Sequence, residues 1–140
     1  MTVSSHPQQH IFRTIIASDP RNIHRVETFL LKMNGTLKMD EEKLHSLLVV
    51  VTEAVNNSIM HGNKRNRSKK VHISCSTNGR VLTVKVRDEG KGFNPEIVPN
   101  PLQEDNLLRE SGRGVFLMRQ LMDSVTYNKN GTEVVMSMKM

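Results

Sequence analysis

The segment "DEGKGF", residues 88–93, sets one carboxylate and two glycines at the end of an alternating apolar run. Asp and Gly are the ordinary residues of tight turns, so these six residues fit a turn as well as the floor of a ligand pocket. Phase is the informative feature. Leu82, Val84 and Val86 point one way and Thr83, Lys85 and Arg87 the other, and Asp88 continues the apolar set if the strand runs one residue further. A carboxylate turned toward a core needs a hydrogen-bond donor, and a ligand amine can supply one. Two more groups have spacing suited to chemistry. Glu53 and Asn57 are four apart on a helical run and share a face that His61 extends; Val49 and Met60 lie on the same side, so the face fits a site and an ordinary surface equally. Gly112 and Gly114 flank Arg113 at the start of a further helical run, where free backbone amides can meet phosphate and the missing side chains let it come close.

One fold must position these groups, because 140 residues is the size of a single domain. Hydrophobic residues at 36%, with 8 Gly and 5 Pro, indicate a globular chain, and no unbroken apolar run approaches a membrane span. The start "MTVSSHPQQH" has no basic-then-apolar leader pattern, so the expected location is the cytoplasm. The lone Cys75 alternates with Val71 and Ile73 and reads as a buried strand side chain. A net charge of +6 invites a nucleic-acid reading, but aromatic content is 4% and the basic run "KRNRSKK" at 64–70 lies between a helix and a strand. That is the pattern of a solvated connection, and no direct nucleic-acid partner is expected.

Along the chain, 10–17 reads as a first strand. Ser18 or Asp19 then caps a helix with Pro20 in its first turn and Ile23, Val26, Leu30 and Met33 on one face. Asp40, Glu41 and Glu42 open a second helix running to about Met60, its main stripe Leu44, Leu47, Leu48, Val51, Val55 and Ile59, with Val49 and Val50 off the stripe. Strands 71–76 and 81–87 flank the turn signal Asn78-Gly79. Residues 93–110 are long for a connection and suit a lid or binding loop. The next helix should bury Val115, Met118, Leu121 and Met122, and 124–140 reads as two strands around "KNGT", with the alternating Val134, Met136, Met138 and Met140 as core.

In order, then, come a helix with Glu53 and Asn57 on one side, a strand ending in Asp88-Glu89-Gly90-Lys91-Gly92, and a loop running into Gly112-Arg113-Gly114. This order resembles the GHKL ATPase superfamily with its Bergerat-type nucleotide fold, and especially its bacterial anti-sigma factor serine-protein kinases. The resemblance covers about residues 10 to 140: "TEAVNNSIMHGN" is similar to the family's asparagine box, "DEGKGF" and "SGRGVFLMRQLMD" to its two glycine boxes, and "GTEV" to its closing strand. It implies an α/β two-layer sandwich, a mixed, mostly antiparallel sheet packed on helices, forming a single ATP-binding kinase domain over 1–140 with an ATP lid at 93–110. It implies that Asn57 binds magnesium, that Glu53 is the general base or positions the attacking hydroxyl, and that Asp88 accepts the adenine amine. By the same resemblance Gly90 and Gly92 let the backbone pass close to the nucleotide, Gly112, Arg113 and Gly114 meet the phosphates, Thr132 lies near the base, and Arg25 belongs to a partner surface. His61 is read as a local hydrogen-bonding residue. The implied cofactors are ATP and Mg2+. The implied partners are a sigma factor, an antagonist protein phosphorylated on serine, and a second copy of the chain in a homodimer, with no membrane partner. A nucleotide-gated binding protein without phosphotransfer and a histidine-kinase-type catalytic domain are the alternatives. The chain has no GxxxxGK[ST], HRD or DFG, which excludes P-loop and eukaryotic-type kinase chemistry.

Overall fold

The alternation read at 81–87 extends across a five-stranded sheet in the computed structural model, which describes residues 9–91 and 110–140. The strands are β1 (His10–Ala17), β2 (Lys70–Thr77), β3 (Val81–Arg87), β4 (Ser124–Asn128) and β5 (Glu133–Lys139), in the order β1-β2-β3-β5-β4. Every described pair is antiparallel. Register places Cys75 opposite Phe12 and Val84, and Val84 opposite Met136, so side chains of one phase form a continuous apolar face. Val71, Ile73, Cys75, Leu82, Val84, Val86, Val134, Met136 and Met138 are buried there. Burial pushes the Cys75 thiol up to about 12, as suits a core side chain.

Among the described residues three helices cover that face: α1 (Ile23–Leu37), α2 (Glu41–Asn57) and α3 (Glu110–Leu121), with α2 packed against both of the others. The result is the two-layer α/β sandwich expected from the sequence. The chain enters α1 through a short 3-10 turn, Pro20–Asn22, capped by Asp19, whose carboxylate accepts the Arg21 amide at 3.0 Å. Ser18 turns inward instead, fully buried. Val26, Leu30 and Met33 fill the core while Ile23 stays at its rim. Asp40 caps α2 by accepting the Lys43 amide at 2.8 Å.

Two helix faces differ from the periodicity reading. In α2 the buried set is Leu47, Val50, Val51, Ala54 and Val55, with Leu44, Leu48 and Val49 only partly covered. The face is rotated because α2 is wedged between the sheet and two helices, and residues between the two apolar rows are buried with them. In α3, Val115, Met118 and Met122 are buried but Leu121 is 37% exposed, lying outside the stripe that meets α2 and the sheet. On the other side of the sheet the edge strand β1 presents Ile11 and Ile15, 55% and 60% exposed. No helix among the described residues is long and apolar enough to cross a membrane.

Candidate nucleotide site at the end of helix α2

α2 does not run regularly to Met60. It ends at Asn57 and passes into a five-residue π turn, Ser58–Gly62, in which the Asn63 amide reaches back to the Ser58 carbonyl at 2.7 Å. A π turn widens the helix by one residue and is commonly found at functional sites. Here it follows directly on the residue the sequence singles out. The Asn57 side-chain oxygen, Oδ1, is buried and is the one such atom without a hydrogen-bond partner among the described residues. Buried polar atoms are almost always satisfied, so an orphaned acceptor at a helix end suits a ligand.

Glu53 stands one turn earlier, partly buried. Both side chains meet the backbone of α3 at Gly114. A Cβ added there would stand 2.9 Å from Asn57 Nδ2 and 3.0 Å from Glu53 Cδ, and closer still to Glu53 Oε1. Only glycine lets α3 approach so closely. Tertiary packing thus brings Glu53, Asn57 and Gly114 together.

The second half of the site forms where the π turn meets the end of β3. Asp88 is 7% exposed and in phase with the buried residues, as its position in the alternation requires. Its amide donates to the Thr132 carbonyl at 2.9 Å, and its Oδ1 accepts the Gly90 amide at 2.8 Å, the one hydrogen bond to this carboxylate among the described residues. Gly62 lies against the other oxygen, and an added Cβ at Gly62 would overlap Oδ2 and Cγ of Asp88. Gly90 in turn abuts the Gly62 backbone. Burial raises the Asp88 carboxyl above the ordinary aspartate value, with the Gly90 amide and the charges of Lys69 and Arg87 pulling the other way. A partly desolvated carboxylate with spare acceptor capacity is suited to an amine donor.

Asn63 closes the segment TEAVNNSIMHGN but was given no role of its own in the sequence reading. It is 1% exposed, and its Nδ2 donates to Ser18 Oγ at 2.8 Å and to the Lys70 carbonyl at 2.9 Å, while Oδ1 accepts the Glu89 amide at 2.8 Å. Gly62 was likewise missed as a site residue; a glycine following a helical run has no local mark that distinguishes a cap from a close approach. Glu89 closes the arrangement by accepting the Lys70 amide and pairing with His72, each at 2.9 Å, and these contacts lower its carboxyl, the His72 bond most.

The other expected residues fall as follows. Thr132 sits beside Asp88 through its carbonyl, and its hydroxyl donates to the Lys129 carbonyl at 2.8 Å. α3 begins at Glu110, so Gly112, Arg113 and Gly114 lie within its first turns rather than ahead of them. Of the segment 93–110 expected to form a lid, Glu110 opens α3, and residues 93–109, with Gly92, lie outside the described residues. Arg25 is exposed on α1, away from Val26 and Leu30. His61 is exposed, and no side-chain hydrogen bond to it occurs among the described residues, because the π turn carries it outward. The basic segment 64–70 is a largely exposed connection. No three His, Cys, Asp or Glu side chains gather as a metal cluster among the described residues, so a cation here would depend on the Asn57 oxygen and on oxygens of a bound ligand.

Comparison with known proteins agrees with this geometry. The family described as histidine kinase-like ATPase domain matches residues 16–138. The chain is 36% identical over 107 residues to an anti-sigma F factor of Bacillus velezensis, covering 75% of this chain and 70% of that protein. The anti-sigma F factor of Bacillus subtilis gives the same identity and coverage. The anti-sigma F factor of Clostridium perfringens strain SM101 is 35% identical over 120 residues, covering 82% of this chain and 83% of the relative.

Proposed function

As this chain belongs to the histidine kinase-like ATPase domain family and, within it, to the anti-sigma F factor group, we propose that it is a Mg-ATP-dependent serine-protein kinase. In this reading it phosphorylates a serine of an antagonist protein and sequesters a sigma factor. The observation that carries the reading is the buried Asn57 oxygen without a partner, one helical turn from Glu53 and against Gly114.

The adenine amine donates to Asp88, in a recess whose walls are the backbones of Gly62 and Gly90, and Thr132 lies beside the same edge. The phosphates would lie toward Asn57 and the first turn of α3, where the free amides that include Gly112 form the positive end of the helix and Gly114 leaves room beside Asn57 and Glu53. A bound magnesium ion would neutralise phosphate oxygens, and the Asn57 Oδ1 is the hard oxygen donor that would hold it. Glu53 accepts the proton of the serine hydroxyl as the serine oxygen bonds to the γ-phosphorus. The bond from that phosphorus to the β,γ-bridging oxygen breaks and ADP leaves. Most of the acceleration in such a transfer comes from positioning and charge neutralisation, which a rigid helix end supplies. Exposed Arg25 on α1 belongs to the surface that receives a protein partner. The outward Ile11 and Ile15 on the edge strand β1 support a homodimer, and the cytoplasm is the proposed location.

The test is single-turnover phosphotransfer to candidate antagonist proteins, beside nucleotide titration with and without magnesium. Glu53→Gln keeps Mg-ATP affinity within a few fold and lowers phosphotransfer by roughly 10²-fold or more, the scale of a lost acid–base contribution. Asn57→Ala weakens magnesium-dependent binding and turnover together. A parent protein that binds Mg-ATP and labels no serine would leave a nucleotide-gated binding protein in place of a kinase.

A further inference from the structure

We propose that Asn63 is a positioning residue of the adenine pocket, holding the Asp88 carboxylate in its accepting orientation through the Glu89 amide. This rests on the reading of Asp88 as the adenine acceptor.

Three successive amides fix the turn that carries this carboxylate, and each has a different acceptor. The Asp88 amide donates to the carbonyl of Thr132, the residue just ahead of the neighbouring strand β5, the Glu89 amide to Asn63 Oδ1, and the Gly90 amide to Asp88 Oδ1. The middle bond alone ties the turn to the helical layer. Its partner is immobile: Asn63 is 1% exposed and its other side-chain atom is held by Ser18 Oγ and the Lys70 carbonyl. Chemistry fixes which way the carboxamide faces, since the Lys70 carbonyl can only accept and the Glu89 amide can only donate. Ser18 Oγ donates onward to the Lys69 carbonyl at 2.7 Å, so the chain of bonds is complete.

The same residue sets the distance across the pocket. Asn63 directly follows Gly62, whose backbone faces both Asp88 oxygens, and its own amide closes the π turn onto Ser58. One side chain therefore locks the π turn and the Asp88 turn in a single register, 26 residues apart in sequence. Without it, the Glu89 amide loses its acceptor, and the turn can move relative to Gly62. The described hydrogen bonds of the Asn63 side chain go to Ser18, Lys70 and Glu89, on the Asp88 side of the site, so its effect falls on nucleotide recognition and not on the transfer step.

The experiment measures ATP, GTP and magnesium tripolyphosphate affinities, phosphotransfer at saturating ATP, and melting temperature for the full chain and three variants. For Asn63→Ala, ATP Kd rises roughly tenfold or more, equivalent to about 1.4 kcal/mol. Its ATP-over-GTP preference shrinks, tripolyphosphate affinity stays parental, and saturated phosphotransfer stays within about threefold, so KM moves and kcat does not. Ser18→Ala breaks the far side of the same network; it lowers the melting temperature but keeps the ATP-over-GTP preference. Asn63→Asp retains an acceptor for the Glu89 amide and keeps more of the preference than Asn63→Ala, and it serves as the deciding comparison with Ser18→Ala if the alanine variant does not fold. Equal loss of preference in Ser18→Ala and the Asn63 variants, or an unchanged ATP Kd in Asn63→Ala, overturns the positioning role while the adenine pocket stands. A parent protein with no preference for ATP over GTP removes the adenine reading itself, and this inference with it.

Discussion

Gly114→Ala is expected to separate stability from catalysis. Gly114 lies in the fifth position of α3 at a φ that any residue can adopt, so the substitution gains about 1 kcal/mol of helix propensity. The new methyl carbon would overlap Glu53 Oε1 and stand 2.9 Å from Asn57 Nδ2 and 3.0 Å from Glu53 Cδ. Those atoms belong to side chains that can rotate, and moving one off its preferred rotamer costs about 0.5–1.5 kcal/mol. The two terms nearly cancel, and the unfolding free energy should shift by no more than about 1 kcal/mol. Catalysis has no such compensation, because the groups displaced are the proposed base and the proposed ion-binding amide. A misplacement of about 1 Å can cost 10²-fold in rate. Urea denaturation of the variant, paired with single-turnover phosphotransfer, should therefore show near-parental stability and a loss of about two orders of magnitude in rate. Parental turnover with parental stability would refute the idea that Glu53 and Asn57 must occupy the positions packed against α3.

Asp88 should give nucleotide binding a pH dependence that a plain surface aspartate would not. Its carboxyl is raised by burial, and the ionised form is the better acceptor for an amine, so ATP affinity is full above the raised value and falls as pH drops through it. In the free protein the same raised value means that folding stability declines, rather than rises, as Asp88 ionises with increasing pH. Titrating adenosine across the acidic range should show this slope in the parent and none in Asp88→Asn, whose affinity is lower by about 2 kcal/mol, or roughly thirtyfold. Gly62→Ala, whose methyl would overlap the Asp88 carboxylate, should lower ATP affinity at least about tenfold by isothermal titration while leaving tripolyphosphate binding intact. If the proposed dimer forms through β1, Ile11→Lys with Ile15→Lys should shift sedimentation from dimer to monomer without changing the melting of the monomer, since both side chains are more than half exposed; a parent that already sediments as a monomer, or an unchanged coefficient in the variant, would refute that contact.

What the sequence determined by itself is what local rules govern. Alternation at 71–76 and 81–87 specified both strands and the inward phase of Asp88, because strand side chains alternate regardless of what covers them. Asp40 and the carboxylates after it specified where α2 starts, since free amides at a helix end need acceptors. Glu53 and Asn57 were visible as a pair through helical spacing alone. Packing decided the rest. The buried face of α2 takes in Val50 and Ala54 because elements distant in sequence close around it, and Leu121 is left outside for the converse reason. The switch from α-helix to π turn after Asn57 carries no residue signature, yet it brings Gly62 against Asp88. Asn63 ends the segment TEAVNNSIMHGN, yet nothing local marked its role: its partners Ser18 and Glu89 lie 45 and 26 residues away, and a polar residue after glycine looks the same in a solvated loop as in a buried junction. A hydrogen bond between distant segments depends on where the sheet and helices put them, and only the folded chain fixes that separation.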